Sequence, residues 1–456
     1  MAAMTLDQLR EQVRGEVVVP GDETYDEARS VLNGMIDRRP AAVVRVVNAG
    51  DVVATVHYAR ENELDLAIRG GGHSAPGFGT VDEGVVIDFS RMRTVRVDPT
   101  DATARADAGV TWGDFNAATH AFGLATPGGI ISTTGIAGLT LGGGIGYLSR
   151  GFGLSLDNLI SADVVTADGR FLVASEDENA DLFWALRGGG GNFGVCTSLK
   201  YRLHPVKDVY WGPMFFEIGE TENIWRFYRE YIQDAPEEMG VFPAFQIAPP
   251  LPFIPEDRHG DMFALLVACW AGPVAEGEAR FKAFHEVAEV KAEMVGPIPF
   301  PAINAAFDAL YPKGLRQYWK GNFVKNITDG AIAAHMEHGP KAPTVSSTMH
   351  MYPIDGACHR VAPDATAFGH RDANWSMVIV AGWDDPAADE ANRRWVRDYS
   401  DAVAPHSEAG GYVNFMYADD DDRVPANYGA NYDRLVEVKR AYDPDNVFHV
   451  NQNIKP

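Results

Sequence analysis

Three cysteines in 456 residues, Cys196, Cys269 and Cys358, are too few and too far apart to staple a fold. None stands in a C-x-x-C arrangement, so a zinc knuckle and a dithiol redox motif are excluded, and reduced or buried thiols in a cytoplasmic protein are expected. Positive charge is also scarce. Against 63 Asp and Glu there are 39 Lys and Arg, a formal net charge of −24. The chain therefore lacks the cationic footprint that nucleic acid or an anionic membrane needs. No run approaches the roughly eighteen apolar residues of a spanning helix. The N-terminus, MAAMTLDQLREQVRGEVVVP, has neither the basic start nor the apolar centre of a signal peptide. Repeats and low-complexity tracts are missing. What remains is a soluble chain, expected as a monomer or homodimer, long enough for more than one packed unit.

The first stretch alternates strand and helix patterns. AAVVRVV (41–47), LDLAIRG (64–70) and GVVIDFS (84–90) read as strands, and AGDVVATVHYARENE (49–63) as the helix between the first two. TWGDFNAATHAFG is a helix that stops at Gly123. SADVVTADGRFLVAS is a hairpin turning at Asp168-Gly169, and VCTSLKYRLHPV alternates as a half-buried strand. Texture changes after about residue 206. Glycine thins out, and strands such as MFALLVACW, VSSTMHMYPI and SMVIVAGW are interspersed with helices such as TENIWRFYREYI, EARFKAFHEVAE and ANRRWVRDYSDAV. This reads as an α+β unit with a broad sheet and helices on one side. The chain closes on a helix, a DPDN turn and the amide-rich VFHVNQNI.

Three glycine clusters precede residue 200: RGGGHSAPGFG, GIAGLTLGGGIGYLSRGFG and RGGGGNFG. The third holds a literal G-x-G-x-x-G, but a helix precedes it and a strand follows, the reverse of a dinucleotide-binding unit. No G-x-x-x-x-G-K-[ST] is present. Clustered glycines let backbone N–H groups face an anion, so three clusters in one unit point to a long phosphate-bearing ligand. Tight turns and close packing are the plainer alternative. His73, inside the first cluster, admits a phosphate cradle, a metal site or a cofactor attachment point. The metal reading is weak because no second ligand sits at suitable spacing. A serine triad is weak because no G-x-S-x-G elbow appears.

The segments AIRGGGHSAPGFGTVDEGVVIDFSRM, TPGGIISTTGIAGLTLGGGIGYLSRGFGLSLDNL, DLFWALRGGGGNFGV and NYDRLVEVKRAYDPDNVFHVNQNI, in that order, resemble the berberine-bridge-enzyme-like FAD-linked oxidases of the vanillyl-alcohol-oxidase, or PCMH-type, fold. The resemblance covers nearly all of residues 17–205 and 405–456. It implies an α+β chain with a two-part FAD-binding unit (1–205), an inserted substrate unit with an antiparallel sheet flanked by helices (206–404), and a C-terminal segment (405–456) that returns to the first. It implies FAD joined covalently through the flavin 8α-methyl group to His73. Many relatives add a second link from a cysteine at the place Ile131 holds here, so a single bond is implied. That is the pattern of bacterial hydroxynicotine oxidases and polyketide flavin oxygenases.

By the same resemblance Arg69, Gly70, Gly71, Gly72 and Ser74 surround the pyrophosphate. Thr126, Pro127, Gly138, Gly142, Gly143 and Asn158 line the cofactor, and Gly194 and Val195 lie at its adenine or ribose end. Asn451 and Asn453 bond the flavin's pyrimidine edge, which needs donors and acceptors. GGYVNFM matches a Y-x-N motif that lines the flavin, here Tyr412 and Asn414. A tyrosine with a pKa near about 10 becomes a base only if a cation or buried donors lower it. His350 and Tyr352 share one strand face and are expected to touch substrate. The implied activity is an oxidase. A C–H next to oxygen or nitrogen of a small organic substrate gives hydride to flavin N5, and O2 accepts the electrons and leaves as hydrogen peroxide. A flavin oxygenase acting on a polyketide-like or other secondary metabolite, and a non-catalytic flavin-binding protein, are the two other readings. No metal is expected.

Overall fold

The computed structural model describes residues 3–456, the side chains of residues 420–422 excepted. Three sheets build it. The first has four strands in the order Glu16–Val18, Ala42–Arg45, Val85–Asp88, Leu66–Arg69. Its last three strands run parallel. Parallel neighbours need a crossover, and helix Ala49–Glu61 supplies one, started by an Asn48 side chain that accepts from the Asp51 N–H. The second sheet is antiparallel, in the order Val95–Asp98, Thr103–Asp107, Val195–Arg202, Leu159–Val165, Phe171–Ser175. One apolar core joins the two sheets. It also takes in Leu435, Val438, Phe448 and Ile454 of the C-terminal segment, so the tail is part of the first unit's interior.

The third sheet has eight strands and is antiparallel. Its path runs Val290–Glu293, Asp208–Glu217, Met262–Trp270, Met239–Ile247, Thr348–Pro353, Trp375–Trp383, Arg316–Val324, and Gly296–Pro299 also pairs with Asp208–Glu217. Successive side chains on a strand point to opposite faces. Met214, Val241, Leu266, Met377 and Ile379 pack against Ile224, Trp225 and Tyr228 of helix Thr221–Asp234, Phe281 and Phe284 of Gly277–Val287, and Tyr399 of Asp389–Val403. Phe215, Phe242, Tyr352 and Val378 face the other way, toward Tyr147, Leu154 and Tyr412. The sheet therefore has a helix-covered back and a front turned to the first unit.

Three of these strands carry residues that read as breakers: Gly212 and Pro213 in Asp208–Glu217, Pro243 in Met239–Ile247, and Gly321 in Arg316–Val324. They were not expected from sequence patterning. Among the described residues no helix is long and apolar enough to cross a membrane. All three cysteines are free and buried.

Candidate active site

One long cavity lies between the glycine-rich first unit and the front of the eight-stranded sheet. It is lined by Gly70 to Ser74 on one side, by Gly190, Gly191, Asn192, Gly194 and Val195 with Asn451 and Gln452 at one end, and by Gln317, Trp319, His350, Tyr352, Val378 and Val380 on the sheet side. Tyr412 to Met416 lie along it as well.

The first glycine cluster follows the strand Leu66–Arg69, which ends at the cavity. Among the described residues, no protein acceptor takes the backbone N–H of Gly70, Gly71, Gly72, His73, Ser74 or Ala75. A run of consecutive free amides facing a cavity is an anion nest. Arg69 does not add its charge to it. Its guanidinium pairs with Asp88 (3.1 Å) and donates to the carbonyls of Ala28 and Ser30. Arg69 lines the cavity as expected, with its charge already paired. The carboxylate comes from the neighbouring parallel strand, so the arginine locks the sheet edge while backbone amides face the cavity. Ser74 lines the cavity, and its hydroxyl accepts from the Phe78 N–H (3.2 Å).

His73 stands between two threonines. Its Nε2 lies 2.8 Å from Thr133 Oγ1 and its Nδ1 3.1 Å from Thr134 Oγ1. Burial lowers its pKa to about 4, so the imidazole is neutral at ordinary pH and carries a lone pair. The threonine hydroxyls either donate or accept, so neither ring nitrogen is committed as the bearer of that lone pair. The two threonines had no motif of their own to mark them. Ile131 lines the cavity beside them.

Another part of the lining is built from amides. Asn451 Oδ1 and both amide atoms of Gln452 are buried without a partner, and both residues line the cavity. Buried polar groups left open at a cavity wall are places for a ligand's donors and acceptors. Asn453 has an unpartnered Oδ1 too but does not line the cavity. Gln452, its neighbour, takes that place. A Cβ added to Gly138 or to Gly191 would meet nothing within 4 Å, so a side chain there would stand in ligand space.

Five further expected contacts lie outside the lining. Thr126 is fully buried, and the Pro127 carbonyl accepts from Ser155 Oγ (2.7 Å), fixing the turn. Asn158 donates to the carbonyls of Phe152 and Leu154 (both 2.9 Å), and its Oδ1 meets His204 Nε2 at 2.6 Å, so its amide is consumed inside the protein. Gly142 and Gly143 support the site from behind. A Cβ on Gly142 would come within 2.4 Å of Asn414 Oδ1. Gly143 has φ +146°, and a Cβ on it would come within 2.7 Å of the Tyr412 ring. Gly142→Ala is therefore expected to displace Asn414 and slow flavin reduction by up to about 100-fold, read by stopped-flow absorbance. An unchanged rate would show that the amide's position does not matter.

Tyr412 lies not on a strand but just before the single turn Val413–Phe415. That turn rests on the sheet where Gly321 leaves room for Phe415, whose Cβ would lie 2.6 Å from a side chain at 321. Tyr412 Oη accepts from the Gly144 N–H and from Asn414 Nδ2, each at 2.7 Å, and Asn414 Nδ2 also lies 3.0 Å from the Leu139 carbonyl. The expected buried donors are present. They do not win, because burial pushes the phenol up to about 12. On the sheet, His350 pairs in register with Val378, and Val378 with Gly321. His350 Nδ1 lies 2.6 Å from Tyr352 Oη. Burial drops His350 to about 3 and raises Tyr352. Gln317, unmarked in the sequence reading, lines the same wall. Its Oε1 accepts from Trp319 Nε1 (3.2 Å), and its Nε2 is buried without a partner.

Among the described residues no cluster of three or more His, Cys, Asp or Glu could hold a metal ion. The chain matches the family model described as FAD binding domain over residues 40–175, and the one described as berberine and berberine like over residues 411–455. An uncharacterised FAD-linked oxidoreductase of Bacillus subtilis is 31% identical over 98% of this chain and 98% of its own. The chain belongs to the berberine-bridge-enzyme-like FAD-linked oxidoreductases. A second relative, (R)-6-hydroxynicotine oxidase of Paenarthrobacter nicotinovorans, is 29% identical over 97% of both chains. Among solved structures, 6-hydroxy-D-nicotine oxidase from Arthrobacter nicotinovorans superimposes with a TM-score of 0.86 at 26% identity, covering 97% of this chain and 98% of that one. The protein is thus an FAD-linked oxidoreductase of the PCMH-type fold.

Proposed function

We propose that this oxidoreductase is an oxidase whose FAD is bonded covalently to His73 and lies along the cavity. The observation that carries the reading is the set of groups gathered around one cavity: the neutral His73, the free amides of Gly70 to Ala75, the open glycines Gly138 and Gly191, and the unpartnered amides of Asn451 and Gln452. That set suits a ligand with a nucleophile-accepting ring edge, a pyrophosphate, and a ring edge rich in donors and acceptors. A bound flavin would supply the two-electron acceptor for a substrate C–H next to oxygen or nitrogen, with O2 as the final acceptor and hydrogen peroxide as its product.

The protein's own part is positional and protonic. His350 and Tyr352 hold the substrate's polar group from the sheet, with Val378 and Val380 beside them. Tyr412 Oη takes the substrate O–H or N–H proton, and it does so against an unfavourable pKa. The Gly144 N–H and Asn414 Nδ2 offset part of that by stabilising the phenolate, the form that accepts the proton and becomes the neutral phenol. Among the described residues Arg69 is the one formally charged side chain in the lining, and it is already paired with Asp88. A charged substrate would be left without a partner, so an uncharged one fits.

A panel of alcohols, amines, phenols and sugars tests this by anaerobic bleaching of the flavin, followed by readmission of air. Bleaching by an uncharged member with about one peroxide released per turnover is expected. Bleaching without peroxide, with oxygen found in the product, would replace the oxidase by an oxygenase.

A further inference from the structure

Lys439 lies behind the amide end of the cavity, and nothing in the reaction above uses it. Its side chain and that of Asp443, one helical turn on, are both 0% exposed. The ammonium donates to three acceptors on three stretches of chain. They are Asp443 Oδ2 (2.6 Å), the carbonyl of Asn192 in the third glycine cluster (2.8 Å), and the carbonyl of Phe448 in the tail (3.0 Å). Asp443 in turn accepts from the N–H groups of Val447 (2.8 Å) and Phe448 (2.9 Å), which shapes the turn between helix and tail.

Both carbonyls lead directly to the cavity. The Phe448 carbonyl also accepts from Asn451 Nδ2 (3.0 Å), which ties that nitrogen inward and leaves Oδ1 as an unpaired acceptor. The Asn192 side chain donates to the Gln452 carbonyl (3.1 Å) and accepts from the Ile454 N–H (2.9 Å), so the loop that Lys439 holds in turn holds the tail. A buried ion pair is a poor device for stability alone, because a well-packed apolar pair often does as well or better. What an apolar pair cannot do is draw two carbonyls from separate segments to one point.

We propose that Lys439 is a positioning residue for the hydrogen-bonding edge of the redox cofactor: by clasping Asn192 and Phe448, it presents Asn451 as an acceptor and Gln452 with its amide free. This rests on the FAD reading of the cavity. The hydrogen bonds made at that edge set how readily the ring accepts electrons, so the clasp acts on the potential as well as on binding.

The test is the double variant Lys439→Leu/Asp443→Leu, purified as holoenzyme and compared with wild type in thermal melting, visible spectrum and midpoint potential by dye-coupled reductive titration. The clasp predicts a folded holoenzyme with a lowered melting temperature, a shifted flavin spectrum and a lower potential. A folded double variant with the wild-type spectrum and potential overturns the proposal and leaves Lys439 merely structural. If the double variant does not fold, a crystal structure of the wild-type holoenzyme decides. A ring edge bonded to Asn451 Oδ1 and the Gln452 amide supports the clasp, and an edge held elsewhere overturns it. A wild-type protein that carries no flavin refutes the FAD reading instead.

Discussion

Tyr412→Phe is expected to slow anaerobic flavin reduction by roughly 10²- to 10⁴-fold, the usual worth of a positioned general base. The hydroxyl lost is the group on which Gly144 N–H and Asn414 Nδ2 converge, and the ring itself stays in place against Phe415 and Phe368. The pH profile gives the sharper reading. A phenol pushed up to about 12 is protonated throughout the neutral range. Each unit of added pH therefore raises the fraction ready to take a proton about tenfold, up to that value. The wild-type rate should climb from pH 6 to pH 9 without a plateau, and the Tyr412→Phe rate should be flat. A variant that keeps the wild-type slope would move the base elsewhere, and not to His350, whose pKa of about 3 gives no slope in that range.

Arg371→Met is expected to destabilise the fold by about 3–5 kcal/mol, the cost of stranding a buried partner. Arg371 and Asp157 are joined by two bonds of 2.8 and 2.7 Å, with side chains only 2% and 8% exposed. The arginine also donates to Thr366 Oγ1 (2.8 Å) and the Phe368 carbonyl (3.2 Å). The pair ties the 366–371 loop of the second unit to the 153–158 turn of the first, and Phe368 from that loop meets the Tyr412 ring. Arg371→Met should therefore lower both stability in urea and the rate of flavin reduction. The contrast is Arg10–Asp7, with side chains 42% and 88% exposed, whose loss should stay within about 1 kcal/mol. Equal effects at the two pairs would contradict this account.

The parts of the site legible in the sequence were those carried by local motifs. His73 and its glycines, Gly194 and Val195, Tyr412 and Asn414, and the alternation that put His350 and Tyr352 on one face all lie in short continuous stretches, and all reach the cavity. What was illegible depends on distant partners. Arg69 reaches the cavity, but nothing local announces that Asp88 on the neighbouring strand pairs with it. Asn158 looked like a cofactor contact because its partner His204 lies beyond the hairpin. Gln452 and Asn453 alternate in one tail, and only the packing of Ile454 against the core decides which of them meets the cavity. Lys439 carried no mark of its own in the sequence, although it is fully buried. In the fold, the long strands missed were those with Pro213, Pro243 or Gly321 inside them. Local propensity argues against each, and the wide sheet overrides it by pairing the first two on both sides and the third, an edge strand, along its whole length with Trp375–Trp383.

The most direct test of the central claim, that the cavity holds FAD bonded to the chain at His73, is denaturation of the purified protein in acid. The account predicts that the yellow flavin stays in the precipitate for wild type and moves to the supernatant for His73→Ala. Free flavin in the wild-type supernatant would contradict it.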